Sequence, residues 1–266
     1  MLAPTRRCVP PLVVIASLLA LIAAACGGGS TPAPTLTDPV EILQAGAASL
    51  GEMKTLHVRG LVEGELPLDV GGAGGGVPLS LDGTTLDADL DVPKSELAAE
   101  LLATALFNLR VNIVVVDGVS YLRAPILTGD SWVSQPAEGG IGGDVGGALD
   151  GLAELLARPE LEPERLPDAR CAGTDCYSVR ITVPTGGLLD ALGSLGSSIP
   201  GLSGAAVGDA TVTVGVRKDN LQLATLDLAI AAGGATPLTI SLELSKVNEP
   251  VTIEAPPADE VKAAPG

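Results

Sequence analysis

The chain has 266 residues, and its 15 Lys and Arg stand against 32 Asp and Glu, for a formal net charge of −17. Such acidity repels phosphate backbones and excludes nucleic acid as a partner. Mean hydropathy is +0.42 with only 2% aromatic residues, so the interior must be built from Leu, Val, Ile and Ala; Phe107, Trp132, Tyr121 and Tyr177 are the only aromatics.

The first elements are those of export. Arg6 and Arg7 precede an apolar run from Leu12 to Ala25, the layout of a secretory signal. That run has 14 residues, whereas a bilayer-spanning helix needs about 20. Cys26 follows Ala23-Ala24-Ala25 and resembles the bacterial lipobox, in which the cysteine receives diacylglycerol; Ala23 stands where that pattern prefers leucine. Residues 1–25 are therefore expected to be a signal peptide. Residues 26–37 are expected to be a lipidated start, Cys26, with a flexible Gly/Pro/Thr tether, and the anchor to be lipid on the outer face of the cell membrane. Losing residues 1–25 removes two arginines and no acids, leaving a formal charge of −19.

Residues 38–258 read as one domain. Asp38 caps a helix with Pro39 at its first position, and Val40, Leu43, Ala47, Leu50 and Met53 give it an apolar stripe. A strand over 55–66 follows, with Val58, Val62 and Leu66 on one face. After the Gly-rich run 71–76, Leu86, Ala88, Leu90 and Val92 alternate with Asp87, Asp89 and Asp91. Residues 95–107 (SELAAELLATALF) predict a helix with Leu97, Leu101, Leu102 and Ala105 on one stripe. Asp117-Gly118 predicts a hairpin joining strands 109–117 and 119–124, and Trp132 closes this region. A second Gly-rich loop, 139–147, leads to a helix over 145–157 and an acidic, Pro-rich connection, 158–167.

The second half alternates most regularly. Tyr177, Val179, Ile181 and Val183 define one strand, and a Leu-rich helix spans Leu188 to Leu195. Val212, Val214 and Val216 define the next strand, Leu226, Leu228 and Ile230 another after a turn at Asp219-Asn220, and Leu238, Ile240, Leu242 and Leu244 the fourth. Val251–Ile253 predicts a short last strand before a disordered tail over 259–266. Strands joined by tight turns are antiparallel neighbours with one wet face. The expected fold is α+β: a large curved antiparallel sheet of about eight strands, a half-open β-barrel, with helices on its concave face. Long twisted sheets curl, and small aliphatic side chains fill such a curl poorly, which leaves room for a cavity.

Little points to catalysis or metal. Cys171 and Cys176 are spaced C-x4-C and, outside the cytoplasm, are expected to form a disulfide; with one histidine in the chain, half a metal site is the weaker alternative. His57, that single histidine, reads as a solvent-facing strand residue, and no serine sits in a G-x-S-x-G elbow. Neither Gly-rich run reads as a phosphate loop. Asp87, Asp89 and Asp91 lack the glycine and glutamate of a calcium loop and read as a solvated face. No catalytic residue, metal or cofactor is expected.

The order of parts, with "VDGVSYLRAP" (Val116–Pro125) ahead of Trp132, "CYSVRITVP" (Cys176–Pro184) and the close "VTIEAP" (Val251–Pro256), resembles the mycobacterial LppX/LprG-type envelope lipoproteins, a family similar in fold to the LolA/LolB carriers. The resemblance implies binding of multi-acyl lipids or glycolipids in an apolar cavity and their transfer within or across the envelope, for which a membrane transporter is a candidate partner. Val58, Val62, Leu90, Val115, Val179, Ile181, Val214, Leu226, Leu228, Ile240 and Leu242 are the expected lining from the sheet, with Leu101 and Leu192 from helices. The alternative is a non-catalytic scaffold or interaction lipoprotein whose core is filled.

Overall fold

Alternating apolar residues from nine consecutive sheet neighbours meet on one face, and that face organises the molecule. The computed structural model describes residues 34–68, 77–137, 145–184, 207–232 and 236–263. Among them run helix α1 (Pro39–Gly51), strands β1 (Thr55–Glu63), β2 (Glu65–Leu68), β3 (Val77–Ser80), β4 (Thr84–Asp91), β5 (Glu96–Ala103), β6 (Leu109–Val116) and β7 (Val119–Arg123), the short helix α2 (Pro125–Thr128), β8 (Trp132–Pro136) and helix α3 (Val145–Leu156). Then follow β9 (Glu164–Cys171), β10 (Thr174–Pro184), β11 (Val207–Arg217), β12 (Leu223–Ala232), β13 (Leu238–Ser245), a 3-10 turn at Ala258–Glu260 and β14 (Val261–Ala263).

Twelve strands form one open sheet in the order β14-β8-β7-β6-β5-β4-β1-β13-β12-β11-β10-β9, and β2 and β3 form a separate ribbon. Only β14 lies parallel to its neighbour; the other ten adjacent pairs are antiparallel. This is the expected half-open antiparallel architecture, with more strands than the alternation revealed.

Helix α1 begins as its sequence dictates: the Asp38 side chain accepts from Val40 N at 2.8 Å with Pro39 in the first turn. Its face of Ile42, Leu43, Gly46, Ala47 and Leu50 is buried against β10, β11 and β12. Gly46 sets the approach, since a Cβ there would lie 2.9 Å from Val216 Cγ2. One turn on, Ser49 Oγ accepts from Leu223 N at 2.9 Å. The helix is thus pinned on the sheet by a side-chain hydrogen bond as well as by packing.

Several expectations are corrected. Residues 95–107 are not a helix: Glu96–Ala103 is β5, laddered to both β4 and β6. Glu, Leu and Ala favour a helix locally, but propensities differ by fractions of a kcal/mol per residue, and two flanking ladders with tight turns outweigh them. The expected strand over 55–66 breaks at Gly64, where φ is +107 and a Cβ would fall 2.3 Å from Pro237 O; β2 starts a new ribbon there. The acidic, Pro-rich stretch 158–167 contains the start of edge strand β9, in which Pro167 sits where the register with β10 shifts, the place a sheet tolerates proline. Trp132 opens a strand, β8, and the Arg123 guanidinium lies 4.6 Å from its ring.

Val251–Ile253 is not a strand either. The chain instead returns from β13, in mid-sheet, to pair Val261–Ala263 with β8 near the far edge, so the stretch expected as a disordered tail supplies β14. Asn248 fastens the start of this return: its Oδ1 accepts from Lys54 N at 2.7 Å, its N–H donates to Thr55 O at 2.8 Å, and Thr55 Oγ donates to Glu249 O at 2.6 Å. The helix expected over Leu188–Leu195, with Leu192, and both Gly-rich runs over most of their length lie outside the described residues.

Cys171 and Cys176 are bonded across the β9–β10 turn, with Cα atoms 6.0 Å apart. Closing so short a loop contributes about 2 kcal/mol, so the Cys171→Ser/Cys176→Ser chain is expected to keep its circular dichroism and lose about that much stability in urea titration. Nearby, Lys218 and then Arg165 bond the Asp168 carboxylate and hold its pKa below the ordinary value. A lowered folded pKa stabilises at neutral pH and ceases to do so as pH falls through it. The stability difference between the native chain and Asp168→Asn, small because the site is half exposed, should therefore be present at pH 7 and shrink below about pH 4.

Candidate functional site: the concave apolar face

Register carries apolar residues across the sheet in rows. One row runs Val111, Leu101, Leu86, Gly60, Leu242, Leu226, Val214 and Val179. Beside it, Val62, Ile240, Leu228, Val212 and Ile181 form a second row, and Leu122, Ile113, Ala99, Ala88, Val58 and Leu244 a third. Within the rows Gly60 lets its neighbours close in: a Cβ there would meet Leu86 Cβ at 3.0 Å and Leu242 Cδ2 at 3.1 Å.

The cover over this face is uneven. Beneath α1 the β10–β11 half is sealed, with Val179, Val183, Val214 and Val216 at 0% exposure. Helix α3 packs on α1, and a Cβ on its Gly146 would lie 3.7 Å from Val92, just past β4. On the other half Leu86, Leu97, Ala99, Leu101, Val111, Ile113 and Leu122 are only half-buried, as are Val58, Val62, Ile240 and Leu242 between the halves. The face is therefore a solid core at one side and a partly covered apolar wall at the other.

All the expected lining residues within the described chain stand on this face. Val115, Val179, Ile181 and Val214 are closed into the interior, and Leu90, Leu226 and Leu228 are 7–8% exposed. Leu101 reaches the face from a strand and not from a helix. Sequence reading missed Leu86, Leu97, Ala99, Val111, Ile113 and Leu122 as lining. The signal for two of them was present, since a hairpin about Asp117-Gly118 places Ile113 opposite Leu122. Leu86 and Val111 stood in expected strands as well, and only Leu97 and Ala99 were hidden by the helix expected over 95–107.

The opposite face is polar. Arg59, Asp87, Glu100, Asn112, Asp227 and Glu243 alternate with the wall residues, and shallow clefts of about 240 and 270 Å³ open among them. The expectation for His57 is corrected here. It is not solvent-facing but 6% exposed, because the return after β13 passes over it; Leu56, His57, Asp89, Lys246 and Glu249 to Thr252 line a recess of about 200 Å³. Its Nδ1 donates to Asp89 Oδ1 at 2.8 Å, and Nε2 lies 3.6 Å from Asp87 Oδ2 with no hydrogen-bond partner. Asp87 also lies 3.6 Å from Arg59 Nε. This histidine ties β1 to β4 on the polar side, a sheet's thickness away from the wall.

Two solved structures share this architecture. Mycobacterium bovis LprF superposes with a TM-score of 0.55 at 19% identity, covering 85% of this chain and 99% of its own. The Mycobacterium tuberculosis lipoprotein LppX superposes with a TM-score of 0.51 at 17% identity, covering 81% and 98%. The chain has the LprF/LppX fold. No protein-family model and no curated protein matches the sequence. The resemblance read from Val116–Pro125, Cys176–Pro184 and Val251–Pro256 thus agrees with the fold found, and within the LprF/LppX-like domain no described helix is long and apolar enough to cross a membrane.

His57→Ala empties the buried place of the ring and removes its hydrogen bond to Asp89 across β1 and β4, and should cost about 1–3 kcal/mol in urea unfolding. Leu61→Ala, on the same face and 39% exposed, should cost little; equal effects would remove the structural role.

Proposed function

We propose that this chain is a lipid-anchored envelope lipoprotein that holds the acyl chains of a lipid or glycolipid against the half-covered wall of its concave face, for transfer within or across the envelope. One observation carries this reading: the wall of Leu86, Leu97, Ala99, Leu101, Val111, Ile113 and Leu122 continues an apolar core yet is only half-buried. Apolar surface left against water is unfavourable in proportion to its area, and an acyl chain laid on it recovers about 0.8 kcal/mol per methylene. About ten methylenes would supply roughly 8 kcal/mol, before ordering costs, which corresponds to micromolar binding. On the opposite face the half-covered apolar residues Ala98, Leu102 and Val114 are interrupted by Asp87, Asp89, Glu100 and Asn112.

The anchor completes the proposal. Cys26 would carry the acyl groups on the outer face of the cell membrane, and residues 26–37 would be the tether. The described chain starts at Pro34, and Leu36 N donates to Tyr177 Oη at 3.0 Å, so the last part of that tether is fastened to β10. The LprF/LppX fold supports the reading as a fold that LppX, a lipoprotein, also has. A transporter that hands over or receives the lipid is the partner such a carrier requires.

The filled-core scaffold keeps one observation in its favour, the 0–1% exposure of Val179, Ile181, Val212 and Val214 beneath α1. Lipid content separates the two. Native mass spectrometry and organic extraction of the purified chain should show co-purifying acyl lipid, and Leu86→Gln/Leu97→Gln should lose most of it with unchanged circular dichroism. A native chain that never carries lipid, even after reloading from delipidated form, would leave the scaffold as the reading.

A further inference from the structure

Phe107 is the chain's only phenylalanine, and it is 94% exposed. It stands in the turn between β5 and β6, where φ is +57 at Phe107 and +56 at Asn108. Left-handed backbone is unfavourable for a bulky residue, and no burial of the ring offsets it here. Local chemistry is equally unusual for so acidic a chain. Leu101 to Leu109 (LLATALFNL) contains no charged residue, and the first charges on either side, Glu100 and Arg110, pair with each other at 3.2 Å. Ile126, 68% exposed, stands at the same end of the sheet: it follows β7 in α2, which packs on β6, the strand that Phe107 leads into. These two are the most exposed large apolar residues among those described.

Position adds a second argument. Leu101 and Val111 are cross-strand partners on the concave face, so the turn is the direct continuation of the half-covered wall. The described chain begins at the other end of the sheet, where Leu36 bonds Tyr177 and Tyr177 pairs with Val216 just before the β11–β12 turn. An aromatic ring with an aliphatic neighbour and no net charge fits the interface of a bilayer. Elsewhere the acids of this chain are repelled by anionic headgroups, so an uncharged projection is where it can approach lipid closely.

We propose that Phe107, supported by Ile126, is a membrane-docking tip that inserts into the interface of a bilayer with zwitterionic headgroups, at the open end of the apolar wall. The tip stands independently of the carrier reading, since it says which surface meets a bilayer and not what the wall holds.

The test uses the full chain, as cells process it, with Phe107→Trp, reconstituted in phosphatidylcholine vesicles to occupy any anchor and then mixed with acceptor phosphatidylcholine vesicles. Acyl chains are brominated in the host vesicles in one arm and in the acceptors in the other, and Asn220→Trp, in the turn at the opposite end, gives the background; Trp132, 7% exposed, is common to both. The F107W indole is expected to be quenched about twofold by brominated lipid in one arm or both, as for a ring at interfacial depth, and to lose accessibility to acrylamide. Phe107→Asp should lower capture of acceptor vesicles roughly tenfold with unchanged circular dichroism and unchanged co-purifying lipid, and Phe107→Leu should restore most of the capture. Quenching no greater than that of N220W in both arms overturns the proposal. So does acrylamide protection that depends on protein concentration and not on vesicles, which would mark a contact between copies of the chain.

Discussion

Side-chain parity across a broad antiparallel ladder is the constraint on which this structure rests. Every second residue of each strand must fall on the same face as its partners in the neighbouring strands, and a slip of one residue anywhere would turn a hydrophobic set toward water. Here parity holds from Leu122 in β7 to Val183 in β10. The aspartates of β4 show the cost of a slip most directly, since shifting β4 by one place would put the carboxylates of Asp87 and Asp89 among Val58, Leu97, Ala99 and Leu101 of the neighbouring strands. Burial of unpaired carboxylates is far more costly than the loss of any single contact.

Parity explains the two faces but not their unequal cover. Helix α1 covers only the half it can approach closely, and Gly46 against Val216 sets how closely. Its polar fastening, Ser49 to Leu223, lies at the same place, so the sealed half is held by packing and by a hydrogen bond together. Helix α3 is held mainly by α1. The wall over β4 to β7 is therefore the part of the apolar face that no described element presses on throughout, and its half-burial follows from where the helices are pinned.

How much of this the sequence disclosed depended on whether a signal was local. The α1 cap, the Asp117-Gly118 hairpin and the β10 to β13 alternation are properties of a few adjacent residues, and each reappears in the structure. β9 and β14 were hidden because neither has an alternating pattern of its own: β9 carries Pro167 and four charges between Glu164 and Arg170, and β14 is three residues that acquire strand geometry only beside β8. His57 failed for the same reason. Its neighbours in sequence imply a wet face, and only the return of residues 246–252 from elsewhere in the chain covers it.

The misassigned segment is the most informative failure. SELAAELLA reads as helix because it is rich in Ala, Leu and Glu, and those same residues make β5 a strand of small and unbranched side chains. Ala99 faces Ala88 across the ladder, and next to that pair lies Gly60, over which Leu86 and Leu242 close. A strand chosen for sheet stability would carry Val, Ile or aromatic residues at these places. Conflict between local preference and global fold tends to gather where a protein needs something other than stability. In this chain it lies in the middle of the half-covered wall, among the half-buried Leu86, Leu97, Ala99 and Leu101.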